Sequence, residues 1–149
     1  MIESENILVS YIFNDVQKHF SARKIVKAAF KKEGNLQLNT DENYLKTIIS
    51  NLIGNAIKSL SDSGNGKIVL KAFIDPVHGG EKNQKYISIT DNGVGAKLEN
   101  FKALYDDSEV IGIKTGLGLN LIRDLATAIN CKITVDSKIG VGTTFMLEL

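Results

Sequence analysis

The chain has 149 residues, of which 43% are hydrophobic and 23% are charged, with a formal net charge of +1. This length suits one domain with a hydrophobic core. The near-neutral charge argues against a general nucleic-acid or membrane surface, and no apolar run approaches the roughly 18 residues that a membrane-spanning helix needs. The single cysteine, Cys131, excludes an internal disulfide, which favours a reducing compartment. We therefore expect one cytoplasmic domain over residues 1–149, without nucleic-acid binding or direct membrane contact.

The first half of the chain predicts two helices separated by two strands. Apolar residues at helical spacing predict a helix over residues 5–20, and strands follow at 25–30 and 36–38. Thr40, Asp41 and Glu42 then indicate a second helix, because they offer a capping side chain and acids at the positive end of the helix dipole. This helix is predicted to run to about Ser61.

The second half predicts a hairpin, a long helix and two closing strands. Alternating residues indicate strands at 67–74 and 85–90, joined by a polar loop. A short helix near 98–104, a long helix over 117–129 and strands at 132–137 and 143–149 complete the pattern. Helices and hairpins in this order predict an α+β fold, a two-layer sandwich whose mixed, mostly antiparallel sheet is covered on one face by about three helices.

Three polar residues share one face of the second predicted helix. At about 100° per residue, Asn55 lies roughly 40° from Asn51, and Lys58 lies roughly 20° to its other side. Amide oxygens can ligate a hard cation such as Mg²⁺, which usually also binds substrate phosphates, and a lysine can meet those phosphates. The alternative is a solvated helix face, which is the usual role of polar residues on an amphipathic helix.

Asp91 ends a predicted strand and is followed by a glycine-rich turn. The segment reads Asp91-Asn92-Gly93-Val94-Gly95, and its glycines allow a flat ligand to approach closely. An ionised aspartate only accepts hydrogen bonds, so Asp91 suits an exocyclic amino group such as that of adenine. A plain hairpin turn is the alternative.

A second glycine-rich segment, residues 112–118, leads into the long helix. Glycines at a helix start let the backbone approach phosphate, and the free N–H groups there bind anions. On its own this pattern is also typical of a flexible connection.

In this order and spacing, the three segments resemble the ATP-binding domain of sensor histidine kinases, in the superfamily that includes DNA gyrase, MutL and the heat-shock chaperone ATPases. Residues 51–58 resemble the N box, 91–95 and 116–119 the two glycine boxes, and 140–145 the Gly-Thr segment of the closing strand. The resemblance implies the Bergerat ATP-binding fold, with ATP and Mg²⁺ bound between the helix layer and a flexible lid. In the lid, residues 101–105 match the Phe-containing segment of the family only loosely.

The resemblance also implies a role for each matching residue. Asp91 accepts from the adenine amino group and Thr143 supports the adenine end, while Gly93 and Gly95 let the chain bend around the base. Asn55 ligates Mg²⁺ beside Asn51, and Lys58 reaches phosphate or ribose. The outer phosphates lie against the backbone of Gly116, Leu117, Gly118 and Leu119. Lys114 is a further candidate phosphate contact, with a solvated loop lysine as the alternative.

Asn51 separates the branches of this superfamily. The ATP-hydrolysing relatives carry glutamate at this place as a general base, and an amide cannot take a proton near pH 7. The chain is therefore predicted to be the catalytic domain of a protein-histidine kinase. It would transfer the γ-phosphoryl group of ATP to a histidine on a separate dimerisation domain, with a response regulator downstream. The alternatives are a transfer-inactive nucleotide-binding or docking module and, less favoured, an ATP hydrolase.

Neither histidine of the chain has the setting of a phosphoacceptor. His19 precedes Phe20 rather than an acidic residue, and His78 lies in a predicted polar loop. We therefore expect His19 to lie at a surface or helix end, and the isolated chain to bind ATP without phosphorylating itself.

Overall fold

The computed structural model describes residues 2–21, 28–60, 65–75, 84–104 and 118–149. Three α-helices, a short 3-10 helix and seven strands lie within these ranges. In chain order they are β1 (Ser4–Leu8), α1 (Val9–Ser21), β2 (Ala28–Glu33), β3 (Gln37–Asp41), α2 (Glu42–Ser59), β4 (Gly66–Asp75), β5 (Gln84–Asp91), the 3-10 helix (Leu98–Leu104), α3 (Leu119–Ala128), β6 (Lys132–Lys138) and β7 (Gly142–Glu148).

The main sheet has five strands in the order β2-β4-β5-β7-β6. Strand β2 runs parallel to β4, and the other three pairings are antiparallel. Strands β1 and β3 form a separate antiparallel pair. The three helices cover the main sheet, with α2 against β4, β5 and β7 and α3 against α2 and β6. The predicted two-layer α+β sandwich with a mixed, mostly antiparallel sheet is confirmed.

The core lies between α2 and the covered face of the sheet. Helix α2 contributes a fully buried apolar stripe, and the central strands contribute every second residue, as expected for a half-buried sheet. These buried residues include Leu45, Ile48, Ile49, Leu52, Ile68, Leu70, Ile87, Ile89 and Leu147. The 3-10 helix joins this core through Phe101, whose ring packs edge-on against Phe145 at a centroid distance of 5.7 Å.

The predicted start of the second helix is confirmed, with Asp41 as its cap. The Asp41 carboxylate accepts hydrogen bonds from the backbone N–H of Glu3 at 2.8 Å and of Tyr44 at 3.0 Å. The bond from Glu3 has the largest effect, followed by the bond from Tyr44, and together they hold the pKa of the Asp41 carboxyl below its usual value. The cap therefore fixes the helix whose outer face carries Asn51, Asn55 and Lys58.

The prediction of one N-terminal helix over residues 5–20 is wrong at its start. Residues 4–8 form β1, which pairs with β3 from Ser4 opposite Asp41 to Leu8 opposite Gln37. Helix α1 begins only at Val9, whose N–H donates to the carbonyl of Leu36 at 2.9 Å. Ile7 is buried as a helical stripe would require, but a strand buries it equally well, so periodicity alone misassigned this segment.

The other elements occur where they were predicted, with shifted ends. Strand β2 continues three residues beyond its predicted end, and β3 runs to Asp41. The short helix over 98–104 is a 3-10 helix. Residues 25–27, the end of the second helix at Ser61, most of the hairpin loop after Asp75 and the start of the long helix at Leu117 lie outside the described residues. None of the described helices is long and apolar enough to span a bilayer.

Candidate functional site

The outer face of α2 carries the two asparagines and the lysine of the predicted N box. Leu52, Ile53 and Ala56 face the core on the opposite side, while Asn51 and Asn55 are half-buried and Lys58 is exposed. The side-chain nitrogen of Asn51 donates to the carbonyl of Thr47 at 2.8 Å. That bond uses one of the two N–H donors of the amide and leaves its oxygen as the atom able to ligate a cation.

Asp91 ends β5 as one of the few buried carboxylates among the described residues, with 5% of its surface exposed. Its Oδ1 accepts from the N–H of Gly93 at 2.8 Å and from the hydroxyl of Ser59 at 3.1 Å. Burial raises the pKa of Asp91, while the N–H of Gly93, the Ser59 hydroxyl and the N–H of Thr143 act in the opposite direction. A buried carboxylate with a shifted pKa at a strand end is a candidate functional group.

The turn after Asp91 is bound to α2 on one side and to the hairpin between β6 and β7 on the other. The N–H of Val94 donates to the carbonyl of Ser59 at 3.0 Å, and the carbonyl of Val94 accepts from Gly140 at 2.7 Å. Two glycines make this passage possible. A Cβ on Gly93 would collide with Ser59, and Gly95 has a φ of +68°, which favours glycine.

Thr143 lies directly across from Asp91, because the two residues are register partners in the pairing of β5 with β7. It is buried, and its hydroxyl lies 2.7 Å from that of Ser137 on β6. The Ser137 hydroxyl also accepts from the N–H of Ala96 at 2.9 Å. Ser137 therefore links Thr143, which is predicted to support the adenine end of the nucleotide, to Ala96 just before the 3-10 helix. This role of Ser137 was not predicted from the sequence.

Helix α3 begins at the second glycine box without a side-chain cap. Gly118 is its N-cap residue, with a φ of +63°, and its carbonyl accepts from the N–H of Ile122 at 3.1 Å. Leu119 is fully buried and anchors the first turn. Backbone N–H groups at an uncapped helix start bind anions. Lys114, Gly116 and Leu117 lie outside the described residues.

Ser59 joins the two halves of the site. It is the last residue of α2, directly after Lys58, and its side chain and carbonyl both contact the Asp91 turn. The helix face with its amide oxygens and the buried acceptor therefore meet at the end of α2. Ser59 carries no separate signal in the sequence, since a serine after an amphipathic helix is typical of any helix end.

Among the described residues, neither His19 nor Cys131 takes part in the hydrogen bonds around Asp91 and Ser59. His19 is exposed in the last turn of α1, as predicted, and His78 lies outside the described residues. Cys131 is buried, and burial raises the pKa of its thiol to about 12. A cavity of about 520 Å³ lies between α3, the end of the 3-10 helix and β6, with Arg123, Cys131 and Lys132 in its lining.

Comparison with known proteins places the chain in a family. The sequence model of the family described as "Histidine kinase-, DNA gyrase B-, and HSP90-like ATPase" matches residues 40–149. The signal transduction histidine-protein kinase AtoS of Escherichia coli is 34% identical over 115 residues, which are 75% of this chain and 17% of AtoS. The autoinducer 2 sensor kinase/phosphatase LuxQ of Vibrio parahaemolyticus is 27% identical over 124 residues, which are 78% of this chain and 14% of LuxQ. The chain thus spans less than a fifth of either relative.

Solved structures share the fold over the whole chain. The catalytic domain of the histidine kinase ThkA superimposes with a TM-score of 0.77 at 20% identity, covering 99% of this chain and 95% of that domain. The histidine kinase AdeS of Acinetobacter baumannii gives 0.76 at 17% identity, covering 100% of this chain and 68% of that one. At these identities the likeness establishes the arrangement of helices and strands.

Proposed function

Because this chain belongs to the family of histidine kinase-, DNA gyrase B- and HSP90-like ATPases, we propose that it is the ATP-binding catalytic domain of a sensor histidine kinase. In this role it binds ATP and transfers the γ-phosphoryl group to a histidine on a separate dimerisation domain. The observation that carries the proposal is the junction at the end of α2, where the buried acceptor Asp91 meets the helix face of Asn51 and Asn55 through Ser59.

The buried carboxylate supports adenine as the base. The hydrogen bonds from Ser59 and from the N–H of Gly93 both end on Oδ1 of Asp91, and Oδ2 has the capacity to accept from an exocyclic amino group. Adenine has such a donor at its six-position, whereas guanine has an acceptor there, which the carboxylate repels. Thr143, directly across the sheet, is proposed to support the same end of the base.

The amide oxygens of α2 fit a magnesium ion. Asn55 is proposed as its ligand with Asn51 beside it, since Mg²⁺ takes oxygen donors and binds proteins through few side chains plus substrate phosphates. A magnesium ion held by these side chains would supply positive charge that offsets the negative charge developing on the phosphate oxygens during transfer. Lys58, on the same face of the helix, is proposed to contact phosphate or ribose.

The uncapped start of α3 supports a phosphate site. The backbone of Gly118 and Leu119 is proposed to hold the outer phosphates, together with Gly116 and Leu117 and with Lys114 as a further contact. Phosphoryl transfer depends mainly on positioning and charge neutralisation, and these groups are proposed to perform both.

In the proposed transfer step, a histidine nitrogen of the partner domain forms the N–P bond while the bond from the γ-phosphorus to the β–γ bridging oxygen breaks, and ADP leaves. A response regulator is proposed to receive the phosphoryl group afterwards.

Asn51 favours transfer over hydrolysis. Its amide cannot remove a proton from water near pH 7, and its nitrogen is already engaged with the carbonyl of Thr47. A histidine nitrogen attacks with its own lone pair and needs less help from a base.

Transfer in trans tests the proposed function. The chain is mixed with the phosphoacceptor hairpin of its own parent kinase and with ATP labelled at the γ-phosphate. We expect acid-labile label on the hairpin, because a bound acceptor competes with water at the γ-phosphate. The matched control is the hairpin with its phosphoacceptor histidine replaced by glutamine. If ATP binds and the cognate hairpin stays unlabelled, the chain is a transfer-inactive nucleotide-binding module.

A further inference from the structure

The hydroxyl of Ser59 has two acceptors and one proton. Its oxygen lies 2.9 Å from the carbonyl oxygen of Ala56 and 3.1 Å from Oδ1 of Asp91. The bond to Ala56 lies within the last turn of α2, whereas the bond to Asp91 crosses to the end of β5. A hydrogen bond to an ionised carboxylate is stronger than one between neutral groups. An ionised Asp91 is therefore the stronger of the two acceptors for the Ser59 hydroxyl proton.

We propose that Ser59 is a positioning residue that sets the adenine specificity of this site by holding Oδ1 of Asp91, so that Oδ2 is presented to the base. This inference rests on the proposed nucleotide binding. Ser59 and the N–H of Gly93 donate to the same oxygen from two directions. The N–H of Thr143 also acts on this carboxylate, and the Ser59 hydroxyl, as the second donor to Oδ1, adds to the restraint on its rotation about the Cβ–Cγ bond.

The surrounding backbone keeps Ser59 in this place. Its carbonyl accepts from the N–H of Val94 at 3.0 Å, and Gly93 passes so close that a Cβ there would collide with both the side chain and the carbonyl of Ser59. The hydroxyl is therefore held in register with the turn by main-chain contacts that do not depend on its own proton. Removing the hydroxyl alone is expected to loosen the carboxylate and leave the turn in place.

The position of Ser59 also connects base recognition with the phosphate side. It follows Lys58 directly and lies four residues, about one helical turn, after Asn55. A movement of the last turn of α2 would therefore shift the proposed magnesium ligand and the donor to Asp91 together.

The first test compares nucleotides with and without the exocyclic amino group. ATP and inosine triphosphate, which has an oxygen in place of that group, are titrated calorimetrically into the native chain and into Ser59→Ala. Alanine is the best helix former, so the last turn of α2 is expected to persist. We expect a roughly tenfold loss of ATP affinity, the range for a charge-assisted hydrogen bond, and little change for inosine triphosphate. Ser59→Thr keeps the hydroxyl and is expected to retain the native preference.

The matched control is Ser88→Ala. Ser88 is a buried serine on the same strand, three residues before Asp91, and its replacement is expected to leave the ratio of ATP to inosine triphosphate affinity unchanged. An equal loss for both nucleotides in Ser59→Ala would show general damage to the site and would overturn the positioning role.

A second test asks whether Ser59 acts through Asp91. In a double-mutant cycle, Ser59→Ala is expected to have no further effect on ATP affinity once Asp91→Asn is present, because the group that it positions has changed. Additive losses would overturn the assignment. Failure of the native chain to bind either nucleotide overturns the proposed function itself, and is thereby distinguished from a failure of Ser59 alone.

The pH profile supplies a third readout that a purely structural role would not move. Among the described residues, the pKa of Asp91 responds to burial, to the N–H groups of Gly93 and Thr143 and to the Ser59 hydroxyl, with no contribution from a charged side chain. Loss of the hydroxyl removes an influence that lowers the pKa. The acid-side fall in ATP affinity is therefore expected at higher pH in Ser59→Ala than in the native chain, and an unchanged profile would contradict the proposal.

Discussion

The carboxylate of Asp91, at the end of β5, is buried, and burial disfavours its ionised form. A protein that needed only a turn there could use asparagine, whose oxygen accepts from the same donors without the cost of burying a charge. The retained acid is explained if the ionised form recognises a donor on a ligand. If Asp91 recognises a ligand in this way, recognition and stability conflict at this residue, and both effects can be measured.

Asp91→Asn is expected to weaken ATP binding and to remove the preference for ATP over GTP. Losing a charge-assisted hydrogen bond costs about 1.5–3 kcal/mol, which corresponds to roughly ten- to a hundredfold in affinity. Titration of both nucleotides into the native chain and the variant measures this. Asp136→Asn, an exposed acid on β6, is the control. Equal affinity of the native chain for ATP and GTP would remove the reason to place adenine against Asp91.

The same variant is expected to unfold at equal or higher denaturant concentration at neutral pH. The pKa of Asp91 is raised in the folded state, so its contribution to stability is fully present below its unfolded value and is lost as pH rises through the folded value. The gain from Asp91→Asn is therefore expected near pH 7 and should shrink on acidification. Urea unfolding at pH 7 and pH 4 decides this, and a clear loss of stability at pH 7 would contradict it.

Asn55→Ala is expected to weaken ATP binding when magnesium is present and to change it little when magnesium is chelated, because the lost amide oxygen serves the ion. Calorimetry under the two conditions measures the difference, and thermal unfolding checks the fold. Asn43→Ala is the matched control, since Asn43 is an exposed asparagine on the same helix, twelve residues earlier. Unchanged affinity with magnesium, in a folded variant, would exclude Asn55 as a ligand.

At the scale of elements, local pattern identified almost every helix and strand, and failed where pairing was distant. Strand β4 alternates between buried and more exposed positions, and α2 has an apolar stripe with a capped start, so both were predictable. Residues 4–8 pair with a strand about thirty positions later, which no local window contains. The parallel pairing of β2 with β4 was unpredictable for the same reason.

The residues of the candidate site, like the elements of the fold, were only partly predictable from local sequence. The polar face of α2 and the Asp91 turn were predictable, because residue chemistry and spacing occur together in each segment. Ser59 and Ser137 were missed, since each acts across elements: one joins α2 to β5, and the other joins β6 to β7 and to the start of the 3-10 helix. A serine carries no periodic signal, so its role becomes visible only when the strands are in register.

Gly54 and Gly93 are expected to respond in opposite directions to substitution by alanine. Gly54 lies within α2, where an added Cβ would meet only Phe20 at 4.0 Å, so Gly54→Ala is expected to stabilise the domain by about 0.5–1 kcal/mol. In Gly93→Ala the Cβ would collide with Ser59, and we expect a loss of about 1–3 kcal/mol. Chemical unfolding of both variants measures the contrast. A stable, ATP-binding Gly93→Ala would contradict the tight packing of this turn.

At the scale of the whole molecule, the described residues form the fold of a histidine kinase catalytic domain, and several of the proposed site residues lie at one junction of its elements. The ends of α2, β5 and the β6–β7 hairpin meet there through Ser59, Thr143 and Gly140. The described histidine, His19, lies in the last turn of α1, an element that takes no part in this junction. The groups at this junction are the ones proposed to position a nucleotide, and the proposed acceptor belongs to a partner.

The isolated chain is therefore expected to bind ATP, to carry no acid-labile label of its own and to release phosphate slowly. The family resemblance implies that Asn51 stands where the hydrolysing members carry their general base, and its amide cannot activate water. Asn51→Glu introduces a possible base, and we expect at most a modest gain in phosphate release, because a base also needs a water positioned within hydrogen-bond reach. Phosphate release from the native chain and from this variant is measured with excess magnesium and ATP. Asn43→Glu, on the same helix away from the site, controls for added charge. Release by the native chain of order one turnover per second, as in ordinary enzymes, would assign it to the hydrolase branch instead.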